Sequence, residues 1–152
     1  MNSYLIAYSW LAQLYFVLQI LAAFLLGGSI GWERERVGKE AGIRTFGLIC
    51  MGSCIFSIVS RALFFSDPSR IAANIVVGIG FIGGGIIFHQ RERSRGLTTA
   101  SSLWVAAALG VCVGFNLYIL AVAISLLTVV SLHLPATKFW KKLSKKALMN
   151  KI

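Results

Sequence analysis

From Leu97 to Leu134 the chain runs for about 38 residues without a single Asp, Glu, Lys or Arg. Residues 71–88 carry none either, and between Thr45 and Phe65 the only charge is Arg61. Crossing the hydrocarbon of a bilayer takes roughly 18–20 apolar residues in a row, so each stretch is long enough to span. A soluble domain of this size would instead scatter polar residues at helical period. The fold is therefore constrained to a bundle of membrane-crossing helices. Composition agrees, at 57% hydrophobic and 13% charged over 152 residues, with two prolines.

Five spans are expected, at about 11–32, 45–65, 71–89, 97–115 and 117–134. The last uncharged run is too long for one crossing, and Gly114-Phe-Asn-Leu117 supplies the turn that splits it into a hairpin. Residues 1–10 are apolar but carry Tyr4, Tyr8 and Trp10, which suits the membrane interface. No Lys or Arg precedes Glu33, so there is no charged n-region and a cleaved signal peptide is not expected. The expected fold is all-α: a polytopic membrane bundle over residues 1–134, with a basic cytoplasmic tail at 135–152.

Basic residues set the orientation. The first loop, the third loop and the tail together hold thirteen Lys and Arg, against Arg61 and Arg70 at the other side. By the positive-inside rule the N-terminus lies outside and the tail is cytoplasmic. The net charge of +10 thus has a topological meaning. No basic face with interleaved aromatics lies on a soluble domain, so nucleic acid is not an expected partner. In the tail, Phe139, Trp140 and Leu143 alternate with paired lysines. That pattern fits either a basic amphipathic contact with anionic lipid or a plain stop-transfer tail.

Glycine is the second constraint. Gly78-Ile-Gly-Phe-Ile-Gly-Gly-Gly-Ile-Ile-Phe88 would make a poor soluble helix, since each glycine costs about 1 kcal/mol against alanine. In a bilayer, small residues let helix backbones approach closely. Gln19, Ala23, Gly27 and Gly31 recur every fourth position in the first span, as do Ser102, Ala106, Gly110 and Gly114 in the fourth. In the third span Asn74, Gly78 and Gly85 share one face, while Ala73, Gly80, Gly83 and Gly84 share another. A helix small on two faces is expected to be gripped on both, which puts the third span at the centre of the bundle.

A repeat is also visible. Leu26-Gly-Gly-Ser-Ile-Gly-Trp-Glu-Arg-Glu-Arg36 matches Ile82-Gly-Gly-Gly-Ile-Ile-Phe-His-Gln-Arg-Glu-Arg93, and each returns through a glycine, Gly42-Ile-Arg-Thr45 and Gly96-Leu-Thr-Thr99. Two parallel helical hairpins plus a fifth helix would explain this; glycine and charge at any helix exit would also resemble it. Cys50, Cys54 and Cys112 fall inside spans without a CxxC motif and read as small hydrophobes. His89 and His133 fall near cytoplasmic helix ends, where interfacial packing is favoured over metal ligation.

The first loop, Glu33-Arg-Glu-Arg-Val-Gly-Lys-Glu-Ala-Gly-Ile-Arg-Thr45, sets both signs of charge at one boundary. Charges this close to lipid pair with one another or face a wet cleft. Glu33, Glu35 and Arg44 are expected to form one salt-bridged cluster; the alternative is that Glu33 and Glu35 hold a cation.

At these residues the chain resembles the MgtC/SapB family of bacterial inner-membrane proteins. The matching motifs are residues 27–35, Ala41-Gly-Ile-Arg-Thr45, Arg70-Ile-Ala72, residues 78–86, and Gly96-Leu-Thr-Thr-Ala100 through Leu103-Trp104. The resemblance covers most of residues 20–118 and implies a domain of about five helices. It also implies an association with growth at low magnesium and survival inside host cells in some members, or acid tolerance in others. Asn74 stands where the family often has glutamine, and Gly84 where it often has alanine. Many members carry a soluble C-terminal domain after the last span, whose roles do not carry over to a short lysine-rich tail.

No Asp or Glu lies inside a span, and Mg²⁺ prefers carboxylates and sheds water reluctantly. The expected role is therefore non-enzymatic: docking onto another membrane protein, with adaptation to low magnesium or acid stress as the outcome. The alternative is a magnesium or cation transporter or channel-like module whose third span exposes carbonyls. No nucleophile–base constellation is present to suggest an enzyme. The candidate interaction or packing residues are Gly27, Gly31, Glu33, Arg34, Glu35, Arg44, Asn74, Gly78, Gly80, Gly84 and Thr99, with Glu33 and Glu35 the metal candidates. No catalytic residue or cofactor is assigned. Expected partners are the lipid bilayer, a membrane protein and a second copy of the chain.

Overall fold

In a computed structural model, the described residues are 9–63, 67, 69–89 and 96–134. They form α1 (Trp10–Arg36), α2 (Ile43–Leu63), α3 (Ser69–His89), α4 (Gly96–Gly114) and α5 (Tyr118–His133), with no strand among them. The interfacial segment expected at 1–10, apart from its last two residues, and the basic tail lie outside the described residues. The first four helices are long and apolar enough to cross a membrane. Helix α5 has 16 residues and covers only about 24 Å at 1.5 Å per residue.

Two helices end by the same device. After α1, the Gly38 N–H donates to the Glu35 carbonyl and the Lys39 N–H to the Arg34 carbonyl, with Gly38 at φ +71°. After α4, the Asn116 N–H donates to Val113 and the Leu117 N–H to Cys112, with Asn116 at φ +65°. Both are Schellman closures, which need a left-handed residue that glycine or asparagine supplies at little strain. The expected turn at 114–117 is therefore present. Helix α1 continues four residues past the expected boundary at Trp32, so Glu33 and Arg34 belong to its last turn.

The core lies where the small-residue stripes meet. Gln19, Ala23, Gly27 and Gly31 are all buried on α1, and Ser102, Ala106, Gly110 and Gly114 on α4. A Cβ on Gly27 would stand 2.7 Å from the Phe46 carbonyl oxygen, and one on Gly31 2.6 Å from the Gly42 carbonyl oxygen. Cβ atoms on Gly110 and Gly114 would run into the α2 backbone at Cys50 and Cys54. With no hydrophobic drive between helices in lipid, such contacts supply the packing. Cys50 and Cys54 are fully buried in this core as free thiols, the small apolar role expected of them.

The centre of the bundle is α4, which packs against each of the other helices. The expectation that α3 is central and gripped on both faces is overturned. Only 11% of its apolar stretch is buried, against 56% for α4, and Phe81 and Val77 are 87% and 72% exposed. Cβ atoms on Gly78, Gly80, Gly84 or Gly85 would meet nothing within 4 Å. Glycine permits close approach without specifying who approaches, and among the described residues only the Ile79 and Gly83 side of α3 is buried.

The hairpins echo each other. Aligned on the repeat, Gly27 corresponds to Gly83 and Phe46 to Ala100. Gly27 packs on Phe46, and a Cβ on Gly83 would sit 3.7 Å from the Ala100 Cβ. The same pair of positions meets in both hairpins, more loosely in the second.

Candidate functional site

The charged boundary is sorted by helix geometry. Glu33 and Glu35 lie two residues apart on one helix, hence on nearly opposite faces. Glu33 faces inward and is 3% exposed, beside Arg34 at 5%. The Arg34 Nε–H donates to Glu33 Oε2 at 2.9 Å, and His133 Nδ1 on α5 lies 3.8 Å from Glu33 Oε1. Glu35 faces outward, where its Oε2 accepts from the Ile43 N–H at 3.1 Å. Ile43 opens α2, so Glu35 caps that helix and places a negative charge at the positive end of its dipole.

The expected Glu33–Glu35–Arg44 cluster is thus corrected. Arg44 is exposed and makes no ion pair among the described residues. Glu33 pairs with its own neighbour Arg34 and lies beside His133 of α5, because the α1 helix persists through the polar residues and turns the two carboxylates apart. The same geometry counts against Glu33 and Glu35 as joint metal ligands. Their oxygens do not converge, and no group of three or more potential ligands exists among the described residues.

An open groove runs between α2 and α3. Its membrane part has a volume of about 490 Å³ and an apolar lining that includes Leu48, Ile49, Ile79 and Ile82, with Ser53 and Asn74 as polar points. Leu48, Ile49 and Ile82 also line a second cleft of about 730 Å³, whose mouth holds Glu35, Lys39, Glu40 and Arg44. A charged vestibule therefore leads into an apolar slot beside the bare glycines of α3. Asn74, whose Nδ2 donates to the Arg70 carbonyl at 3.1 Å, stands in that slot. Thr99 is buried in α4, its carbonyl accepting from the Ser102 hydroxyl, so it packs rather than faces the groove.

Two sets of residues were not grouped by the sequence reading. Ser29 on α1 and Ser125 on α5 join through their hydroxyls at 3.0 Å. At the opposite end from Glu33, Gln19 donates to the Val113 carbonyl at 2.7 Å and to Asn116 Oδ1 at 2.8 Å. The signal for the second was present: a glutamine heading a stripe of alanine and glycine must find a polar partner where the backbones touch.

The sequence profile of the MgtC family matches residues 20–138. The chain belongs to the MgtC family. Its relatives include the putative magnesium transporter YhiD of Escherichia coli K12, 42% identical over 127 residues, covering 78% of this chain and 59% of that protein. Protein MgtC of Salmonella typhimurium is 41% identical over 112 residues, covering 74% of this chain and 48% of that protein. Protein MgtC of Brucella abortus is 48% identical over 99 residues, covering 64% and 42% respectively. The chain thus spans between two and three fifths of the length of these relatives. No solved structure matches it. The MgtC match contains the α4 stripe, the α1 stripe from Ala23 onward, the Glu33–Arg34 pair, the groove and the bare glycines of α3, so this architecture falls within the shared region.

Proposed function

We propose that this MgtC family protein is a non-enzymatic bacterial inner-membrane module that docks onto another membrane protein and supports adaptation to low magnesium or acid stress. The observation that carries the reading is the uncovered surface of α3, where a Cβ on Gly78, Gly80, Gly84 or Gly85 would meet nothing within 4 Å among the described residues. Four bare glycines on one apolar helix give up about 1 kcal/mol each in helix propensity. The close approach of a partner helix would offset that cost. The charged vestibule beside the slot supplies a polar edge that would fix register.

Gly80→Leu and Gly84→Leu are expected to leave the fold of the chain intact, because open space surrounds both positions, while abolishing growth support at low Mg²⁺. Thermal unfolding in detergent, read beside growth of cells carrying each variant, checks this. Unimpaired growth with both variants would remove the docking face.

The second reading, magnesium or cation transport, is favoured by the name of the Escherichia coli relative and by the vestibule leading into the slot. Against it, the slot offers only Ser53 and Asn74 as polar side chains, far from the oxygen set Mg²⁺ requires. Purified protein that moves Mg²⁺ into liposomes unaided would establish transport and displace docking.

The orientation belongs to the same proposal. With thirteen basic residues assigned to one side, a reporter fused after Ile152 should read cytoplasmic and one fused at Met1 external. Both ends on one side would mean an even number of crossings, with α5 failing to span.

A further inference from the structure

The two hairpins form similar frames, and only one of them is filled. On the alignment that sets Gly83 against Gly27, Ile79 and Gly83, buried on α3, fall on Ala23 and Gly27, buried on α1. Helix α1 packs on α2 and α4, and α3 packs on α4 and α2, so exchanging the hairpins leaves these contacts unchanged. Helix α5 breaks the exchange. It packs on α1 and α4 and, among the described residues, on neither α2 nor α3. Its repeat-related seat is therefore the cleft between α3 and α2, and that is where the apolar slot of about 490 Å³ lies open.

The seat matches residue by residue. Helix α5 meets α1 through Tyr118 on Tyr15, through Ser125 on Ser29 and the Leu26 carbonyl, and through His133 beside Glu33. This order makes α5 parallel to α1. The alignment carries Tyr15 onto Ile71, Leu26 onto Ile82 and Ser29 onto Gly85. Ile71 and Ile82 line the slot, and Gly85 continues the same side of the helix. A helix in the seat would thus run parallel to α3. Gly78, also in the lining, is exposed, and a Cβ there would meet nothing within 4 Å. Asn74, exposed in the same lining, gives one amide N–H to the Arg70 carbonyl. Its second N–H and its Oδ1 have no partner among the described residues.

We propose that the seat is filled by α3 of a second copy, the two α3 helices packing in parallel about a twofold axis along the membrane normal. Copies in one membrane share one orientation, so a neighbour always presents α3 in the direction the seat requires. A helix from an unrelated protein carries no such constraint. A twofold contact is self-complementary: each α3 enters the α2–α3 slot of the other chain. The exposed Gly78 and Gly85 of both copies let the backbones approach. The two Asn74 amides then complete each other, each donating its free N–H to the Oδ1 of the other while the first N–H stays on Arg70. This contact shares α3 with the docking reading but not its test positions, since Gly80 and Gly84 lie on another face of the helix.

Oxidative cross-linking of the full chain in membranes tests the contact. Asn74→Cys is expected to give a disulfide-linked dimer under copper phenanthroline. Gly80→Cys and the parent, whose own thiols are Cys50, Cys54 and Cys112, are expected to give none. Energy transfer between donor- and acceptor-labelled chains in lipid vesicles measures the affinity. Gly78→Leu should raise the dimer Kd at least about tenfold and Asn74→Leu about threefold or more, with Gly80→Leu close to the parent. Gly78→Leu meets open space within the chain, so its melting in detergent should match the parent's, which separates lost pairing from lost folding. A Gly78→Leu chain that no longer pairs yet supports growth at low Mg²⁺ would support the self-contact and leave docking to Gly80 and Gly84. No cross-link from Asn74→Cys, or a Kd unchanged in both Gly78→Leu and Asn74→Leu, would overturn the twofold contact. A parent chain that stays monomeric in vesicles would overturn it too, leaving the seat to lipid or to a helix of another protein.

Discussion

Gly110→Leu is expected to abolish the folded bundle. Even a single Cβ at this position would run into the Cys50 carbonyl oxygen, with the Ser53 side chain 2.8 Å away. The obstacle is backbone, which cannot rotate aside as a side chain can. Overpacking a tight core costs about 1–3 kcal/mol where neighbours can adjust, and here α2 and α4 would have to separate along their length. The loss should exceed about 3 kcal/mol, a large part of the 5–15 kcal/mol typical of folded domains. Gly31→Leu should behave alike, since the Gly42 backbone faces it. Yield of monodisperse protein and melting in detergent measure both. A Gly110→Leu chain melting within a few degrees of its parent would disprove the α2–α4 contact.

Breaking the Glu33–Arg34 pair should give the second large effect. Both side chains are at least nine-tenths buried, and removing one partner of a buried pair strands the other charge at about 3–5 kcal/mol. Glu33→Gln and Arg34→Gln are each expected to destabilise on that scale. The double variant should lose clearly less than the sum, because neither leaves an orphaned charge for the other. His133→Gln should cost at most about 1 kcal/mol, its ring being exposed and 3.8 Å away. Arg44→Gln, on an exposed side chain with no ion pair among the described residues, should fall within about 0.5 kcal/mol of the parent. Strict additivity of the first two changes in thermal unfolding would show that the pair does not act as a unit.

The parts of the fold legible in the sequence are those where one physical requirement has one solution. Charge-free runs of sufficient length become helices because lipid offers the backbone no other partner. The Gln19–Gly31 and Ser102–Gly114 stripes became the core because four-residue spacing of small residues serves backbone contact along one face. The turn at Asn116 was readable for the same reason. By contrast, the glycines of α3 other than Gly83 obey the same chemistry with no neighbour among the described residues to satisfy it, so their number suggested a central helix where position made a peripheral one. The charged loop misled because α1 does not stop where hydrophobicity stops. Once Glu33 and Glu35 are both helical, their spacing turns them apart, and Glu33 finds its second partner a hundred residues later at His133. Tyr15, Gln19, Arg61 and Tyr118 meet only through the tertiary arrangement of three helices, which no local pattern encodes.

That α4 touches every other helix has a consequence for how the chain comes together during synthesis. Domains assemble from the N-terminus as the ribosome delivers chain, at about 5–20 residues per second. The α1–α2 hairpin can close as soon as α2 is delivered, because Gly27 and Gly31 meet the backbone of α2 directly. Helix α3 then arrives with little to hold it, since its main partner α4 is still to come. Its docking waits for Gly96–Gly114, and α5 then closes on helices already in place. Interruption of synthesis after His89 would leave one finished hairpin and one stray helix in the bilayer, a natural substrate for membrane quality control. The fourth helix is both the hub of the structure and the checkpoint of its biogenesis.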